Sequence, residues 1–366
     1  MRKVIVIFFS FSFSFLLAQV PEGYYQAAIG KSGEDLRIAL FGIINDHTEL
    51  QYSELWNAFA YTDVMPSENV WDMYSDLPDD TAAYYFTFFE DQCGNYSQEG
   101  DCYNREHSVP KSWFSSAMPM KTDLFHLYPT DGWVNNKRSN FPYGQVSNPT
   151  WISTNGSKLG PCTYIGYTGT VFEPIDAYKG DLARSYFYMT VRYMDKNLGQ
   201  DTLSVFNGSQ LVEWAQNMFM DWHIMDPVSS KEIERNDVIY NHFQHNRNPF
   251  IDCPELVDYL FGDKQNEPWN PTCVDAGSTD IIESDKTPIQ SIFAYPNPAN
   301  HWVTIDSKDE IIKKIDLMDM SGKIVKIEKN VEGKQCKIDV SNLVPGLYWL
   351  HIHANKKVSF LKLEVY

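Results

Sequence analysis

The chain has 366 residues, enough for two domains, and with 43% hydrophobic and 15% aromatic residues it can bury a sizeable core, which excludes global disorder. Its 30 basic and 48 acidic residues leave a formal charge of −18. Nucleic-acid binding spread over the whole surface is therefore excluded, and any such contact must be local.

The N-terminus, MRKVIVIFFSFSFSFLLAQV, places two bases before an apolar run and Ala18 before polar sequence, the pattern of a secretory signal peptide over residues 1–18. No other stretch approaches the ~18 to 20 apolar residues of a membrane span. Export permits disulfides. GEDLRIALFGIINDHTELQYSELWNAFAYTDV carries apolar residues at helical spacing. NVWDMYSD reads as a connector, and AAYYFTFFEDQC as an aromatic strand entering the turn-rich loop CGNYSQEGDC. Cys93 and Cys102 bracket that loop and are the expected pair; Cys162, Cys253 and Cys273 can supply one further bridge.

Residues 145–170 suit a long loop with short strands. From Val171 the chain turns helical, with Tyr186, Phe187, Tyr188, Val191 and Tyr193 on one broad face. LVEWAQNMFMDWHIM gives another helix, Asp226–Pro227 a break, and a further helix follows before NRNPFIDCPELVDYLFG closes a first domain over 19–262. Residues 263–290, rich in Pro, Asp, Ser and Thr without periodicity, read as a linker. Over 291–366 the alternating runs WVTIDS, IKKIDLMDM, KIVKIEK, QCKIDV, GLYWLHIHA and FLKLEVY, divided by turns such as Ser321–Gly322 and Pro345–Gly346, predict a small all-β sandwich holding the last cysteine, Cys336. The expected fold class is α+β, a mostly helical domain with short strands followed by the sandwich.

Chemistry concentrates between Arg105 and Asn140, where five bases face three acids, a local net of +2. The bias of residues before Pro110 toward extended backbone puts His107 at a strand end. A short helix beginning near Asp131 and capped by Thr130 sets Asn135 and Arg138 on one face at i, i+3. Neutral His107 can take a proton near neutral pH, and Glu106 and Asn135 offer oxygen ligands to a hard divalent ion. HExxH, GxSxG and a phosphate-binding glycine loop are absent from the sequence. Taken alone, a Glu–His pair is more often structural. His126 can be a supporting or a core histidine, Arg247 and Asn248 can touch phosphate or lock the core, and Asp176, Lys179, Asp181 and Arg184 suit a structural charge network.

EHSVPKSWF followed by DLFHLYPTDGWVNNKRSNFPYG resembles the bacterial endonuclease I family of secreted and periplasmic nucleases, which carry the His-Me finger (ββα-metal) site. VFEP with YKGDLAR, DPV with ERN, and NRNPFID with Pro254 and Glu255 follow in the family's order, so the resemblance spans roughly 25–260. It implies His107 as general base and Glu106 and Asn135 as ligands of one Mg²⁺, or of Ca²⁺ or Mn²⁺ in its place. It also implies cleavage of DNA, and often RNA, with little sequence preference, leaving 5′-phosphate ends. Some members place an Arg between the His and the DLxxLxP motif; here that interval holds only Lys111 and Lys121, so Arg138 is taken as the phosphate-stabilising cation, with Arg105 or a lysine as the alternative. AYPNPAN, IDLMDMSGKIV, DVSNLVPGLYWLHI and FLKLEVY are similar to the type A sorting domain of type IX secretion, which implies passage across the outer membrane through that machinery and release or surface attachment. The expectation is a secreted, monomeric, metal-dependent endonuclease. The rivals are a non-catalytic adhesion or glycan-binding protein with a structural cation, and a phosphodiesterase for small or lipid phosphates.

Overall fold

A computed structural model describes residues 20–366 apart from 79–80, 200–203, 272, 274–292, 296, 298, 308–310, 320–323 and 355–357. The expected signal peptide and the Ser321–Gly322 turn lie outside the described residues. The chain divides into two compact units, Met1–Ser278 and Thr279–Tyr366.

The first unit runs α1 (Gly33–Ile44), α2 (Leu55–Thr62), β1 (Tyr103–His107), β2 (Leu127–Asp131), α3 (Gly132–Arg138), β3 (Trp151–Ile152), β4 (Lys158–Pro161), β5 (Thr170–Glu173), α4 (Lys179–Arg192), β6 (Phe206–Asn207), β7 (Gln210–Leu211), α5 (Glu213–Met225), α6 (Ser230–Val238), α7 (Pro249–Asp252) and α8 (Leu256–Leu260). Its centre is α4, which packs against α1, α5 and α7. The sequence predicts one apolar face for this helix; instead every residue of it is buried. Two of its buried cations are paired with carboxylates. Lys179 Nζ lies 2.7 Å from Glu173 Oε1, and Arg184 Nη2 donates to Glu232 Oε2 at 2.8 Å. Glu232 also closes the capping box that starts α6, so one carboxylate both begins a helix and neutralises the core arginine. The break expected at Asp226–Pro227 falls between α5 and α6.

Two expectations fail. AAYYFTFFEDQC forms no strand: Phe86 is buried with Val70 and Tyr103 in a small aromatic cluster, with Tyr84 and Phe88 packed against it. Aromatic burial, which the residue types signalled, is satisfied there by irregular chain. The expected linker, 263–290, lies largely outside the described residues, and its described start is packed chain, since Trp269 is fully buried and its backbone N–H donates to Lys31 O at 2.7 Å. Cys253–Cys273 and Cys93–Cys102 are disulfides, and Cys162 remains a thiol.

The second unit comprises β8 (Phe293–Tyr295), β9 (Trp302–Asp306), β10 (Ile312–Asp319), β11 (Ile324–Gly333), β12 (Gln335–Asp339), β13 (Gly346–Ala354) and β14 (Val358–Val365). They pair antiparallel in two sheets, ordered β11-β10-β13-β14 and β12-β9-β8. Alternate residues of both, including Val303, Ile305, Ile315, Leu317, Leu350 and Ile352, meet in one buried cluster.

Candidate active site

β1 and β2 pair antiparallel with Asn104 opposite Thr130, Glu106 opposite Tyr128 and His107 opposite Leu127. Strand alternation sends Asn104 and Glu106 to one face and Arg105 and His107 to the other. α3 follows β2 without a loop. Its N-cap is Asp131, one residue later than the expected Thr130: Asp131 Oδ1 accepts from Val134 N at 2.9 Å and Oδ2 from Gly100 N at 2.7 Å. Thr130 remains within the strand pairing. Gly132 is required at the turn into the helix, since a Cβ there would lie 2.6 Å from Tyr96 Cδ1.

The i, i+3 spacing on α3 meets the i, i+2 spacing on β1. Asn135 Nδ2 donates to Asn104 Oδ1 at 2.7 Å, and Arg138 Nη1 donates to Glu106 Oε1 at 2.9 Å. That same Glu106 oxygen accepts from Tyr74 OH at 2.8 Å and Tyr143 OH at 3.3 Å. Three donors thus converge on one carboxylate oxygen. Among the described residues neither Glu106 Oε2 nor Asn135 Oδ1 takes a hydrogen bond. Burial raises the Glu106 carboxyl pKa above its ordinary value, with Arg138, Tyr74 and Tyr143 opposing that shift.

Arg138, the expected phosphate cation, borders the cleft with its guanidinium turned to internal partners. It is 0% exposed, and besides Glu106 its guanidinium donates to His107 O at 2.8 Å and Ser108 O at 2.5 Å. Burial opposes its charge, but Tyr143 and Glu106 outweigh that and keep it protonated. Its place is behind Glu106.

His107 is buried at the end of β1, and its Nε2 lies 3.1 Å from Lys121 O. A carbonyl oxygen only accepts, so the neutral ring carries its proton on Nε2 and presents a lone pair on Nδ1. Burial holds its pKa well below the ordinary 6.5; the neighbouring His126, Lys111 and Arg105 push the same way, and the bond to Lys121 pushes back. Tyr52 stacks near the ring at 6.2 Å between centroids.

Glu106, His107 and Asn135 line one cleft of about 550 Å³, together with Tyr52, Trp56, Tyr96, Arg105 and Lys111. Tyr74 and Tyr143, which hold Glu106, were missed: Tyr74 lies in a stretch read as connector, while Tyr143 sits in the NFPYG end of the central motif, where it could have been suspected. His126 lies in the core. Its Nε2 bonds Met120 O at 2.6 Å and its ring packs 5.7 Å from that of His107, so it braces the His107 side of the site from behind. Arg247 pairs with Asp237 and Asp252, and Asn248 caps α7, which fits the core-locking alternative. Lys179, Asp176 and Arg184 are engaged in the structural network described above or beside it.

An imidazole and two oxygens without hydrogen bonds among the described residues line one cleft framed by two strands and a helix, and a polar cleft of that kind is met in nucleases. The chain belongs to the Endonuclease I family, whose model matches residues 32–255. It is 38% identical over 248 residues to an extracellular ribonuclease of Bacillus amyloliquefaciens, covering 66% of this chain and 78% of the relative. An extracellular ribonuclease of Bacillus subtilis (strain 168) is 36% identical over 246 residues, 65% of this chain and 78% of the relative. Endonuclease-1 of Buchnera aphidicola subsp. Acyrthosiphon pisum is 32% identical over 133 residues, 36% of this chain and 45% of the relative. Residues 293–365 match the secretion system C-terminal sorting domain, so the nuclease is an exported one.

Proposed function

We propose that the protein is a metal-dependent endonuclease of low sequence preference, that His107 is its general base, and that Glu106 and Asn135 hold one divalent ion, Mg²⁺ or alternatively Ca²⁺ or Mn²⁺. The carrying observation is that one cleft is lined by His107, whose Nε2 is engaged by Lys121 O, and by Glu106 and Asn135, whose Oε2 and Oδ1 have no hydrogen bond among the described residues. An acid and an amide supply hard oxygen donors, which fit such an ion and leave room for water. When bound, the ion supplies positive charge at the phosphate and the leaving oxygen and acidifies a bound water.

The residues do the rest. Lys121 O fixes the His107 tautomer, so Nδ1 accepts the proton of the attacking water and Nε2 keeps its own. Arg138, Tyr74 and Tyr143 pin one Glu106 oxygen and thereby aim the other. The strand–strand–helix unit is read as a His-Me finger. Both DNA and RNA are taken as substrates, in keeping with relatives named as ribonuclease and as endonuclease-1. The two-sheet second unit is read as a β-sandwich that engages the type IX secretion machinery after the signal peptide, 1–18, has served, and the protein as a monomer. Among the described residues no helix is long and apolar enough to cross a membrane.

The test is calorimetric titration of Mg²⁺ into the parent, Glu106→Gln and Asn135→Ala, with cleavage assayed before and after EDTA. The reading requires EDTA-sensitive cleavage and weakened Mg²⁺ binding in both variants, and cleavage undiminished by EDTA contradicts it.

A further inference from the structure

We propose that Arg105 is the cation that grips the substrate phosphate in this cleft, and that Tyr52 and Trp56 are positioning residues that hold its guanidinium there. The proposal rests on the nuclease reading above and assigns the group that reading leaves open. Arg105 lies two residues before His107, on the same face of β1, and lines the same cleft. Its guanidinium carbon sits 3.7 Å from the Tyr52 ring centroid and 4.4 Å from that of Trp56, and its Nη1 donates to Tyr52 O at 2.8 Å.

Most buried arginines meet a carboxylate: Arg138 faces Glu106, Arg184 faces Glu232, Arg235 faces Asp63, Arg247 faces Asp237 and Asp252, and Arg37 lies 3.7 Å from Glu34. Arg192 instead donates to His47 Nδ1, away from the cleft. Arg105 is half-buried, and among the described residues no carboxylate pairs with it. In a chain of net charge −18, an arginine held by two aromatic faces and one carbonyl is reserved for an anion from outside. A single bond to Tyr52 O occupies one of five donors, and the planar fork suits two phosphate oxygens at once. Tyr52 links this cation to the base: its ring stacks near His107, and Lys121, whose carbonyl fixes His107 Nε2, places its ammonium 4.6 Å from the same ring. As negative charge builds on the phosphate during attack by water, a donor fixed in advance contributes most.

The experiment measures binding of a short fluorescein-labelled single-stranded DNA in EDTA across a salt series, with cleavage rates in Mg²⁺ measured separately. Arg105→Ala should weaken binding roughly 10- to 100-fold. It should also reduce the slope of log K against log salt by about 0.7. Arg105→Lys should restore the slope but not the cleavage rate, because an ammonium lacks the fork. Tyr52→Leu, which keeps the carbonyl, should lower kcat and leave the slope in place. Lys111→Ala is the control for a nonspecific basic rim. Parent-like affinity and slope in folded Arg105→Ala, or transfer of the slope change to Lys111→Ala, overturns the proposal. If the parent itself binds no oligonucleotide, the nuclease reading falls and takes this proposal with it.

Discussion

At the scale of single residues, the site is a division of labour between groups that face the cleft and groups that hold them. Arg138 belongs to the second kind. Removing it in Arg138→Ala strands a buried carboxylate, so unfolding in urea should show a loss of about 3–5 kcal/mol. A loss below about 1 kcal/mol would place the residue elsewhere in the energetics. His107 carries a pH signature. The base must be neutral to work, and burial depresses its pKa below 6.5, so protonation and loss of activity are displaced to lower pH. The profile of kcat/KM should stay level from pH 7 down to 6 and fall only in more acid solution; half-loss at or above pH 6.5 contradicts the assignment. That Glu106, His107 and Asn135 would share one cleft was legible because they lie in one unbroken run with diagnostic neighbours. The role of Arg138 was not: spacing puts it beside Asn135 on α3, but which way its guanidinium turns depends on Tyr74 and Tyr143, which spacing cannot see. The aromatic clamp on Arg105 was not legible, since Tyr52 and Trp56 lie about fifty positions upstream.

At the scale of elements, α3 is seven residues long, too short to persist alone, and depends on what props it. Asp131 caps it, Tyr96 rests against its first turn, and the Cys93–Cys102 loop carries Tyr96. Gly132→Ala should drive Tyr96 aside, cost about 1–3 kcal/mol and raise KM. Urea unfolding and steady-state kinetics check both, and an unchanged KM would detach Tyr96 from the cleft. Replacing both cysteines, Cys93→Ser with Cys102→Ser, should cost roughly 2–3 kcal/mol for a loop of this length. A parent-like midpoint in oxidising buffer would show the bridge to be idle. Element types were readable where periodicity was strong, as in α5, α6 and the strands of the second unit. They failed in AAYYFTFFEDQC, whose aromatics signalled burial correctly but pack without sheet pairing. The cap moved from Thr130 to Asp131 because β2 runs through both residues and leaves no loop before α3.

At the scale of the whole molecule, two units with separate cores divide the work of cleavage and export. A protein comprising residues 20–278 should therefore cleave nucleic acid at the parent rate, and a loss beyond about tenfold would show that the second unit supports the site. The charge of −18 and the local surplus of +2 are compatible because Arg105 and Lys111 line one cleft while the acidic remainder of the surface repels polyanions. The composition changes after residue 262, whereas the compact units divide between Ser278 and Thr279. The packing of Trp269 was not legible, because one aromatic in a Pro-rich stretch carries no periodic signal.

The most direct measurement is cleavage of plasmid DNA and of RNA in Mg²⁺ by the parent and by His107→Ala, with circular dichroism to confirm that the variant is folded. The account predicts EDTA-sensitive cleavage by the parent and its near-complete loss in His107→Ala. Full activity in a folded His107→Ala protein would contradict it.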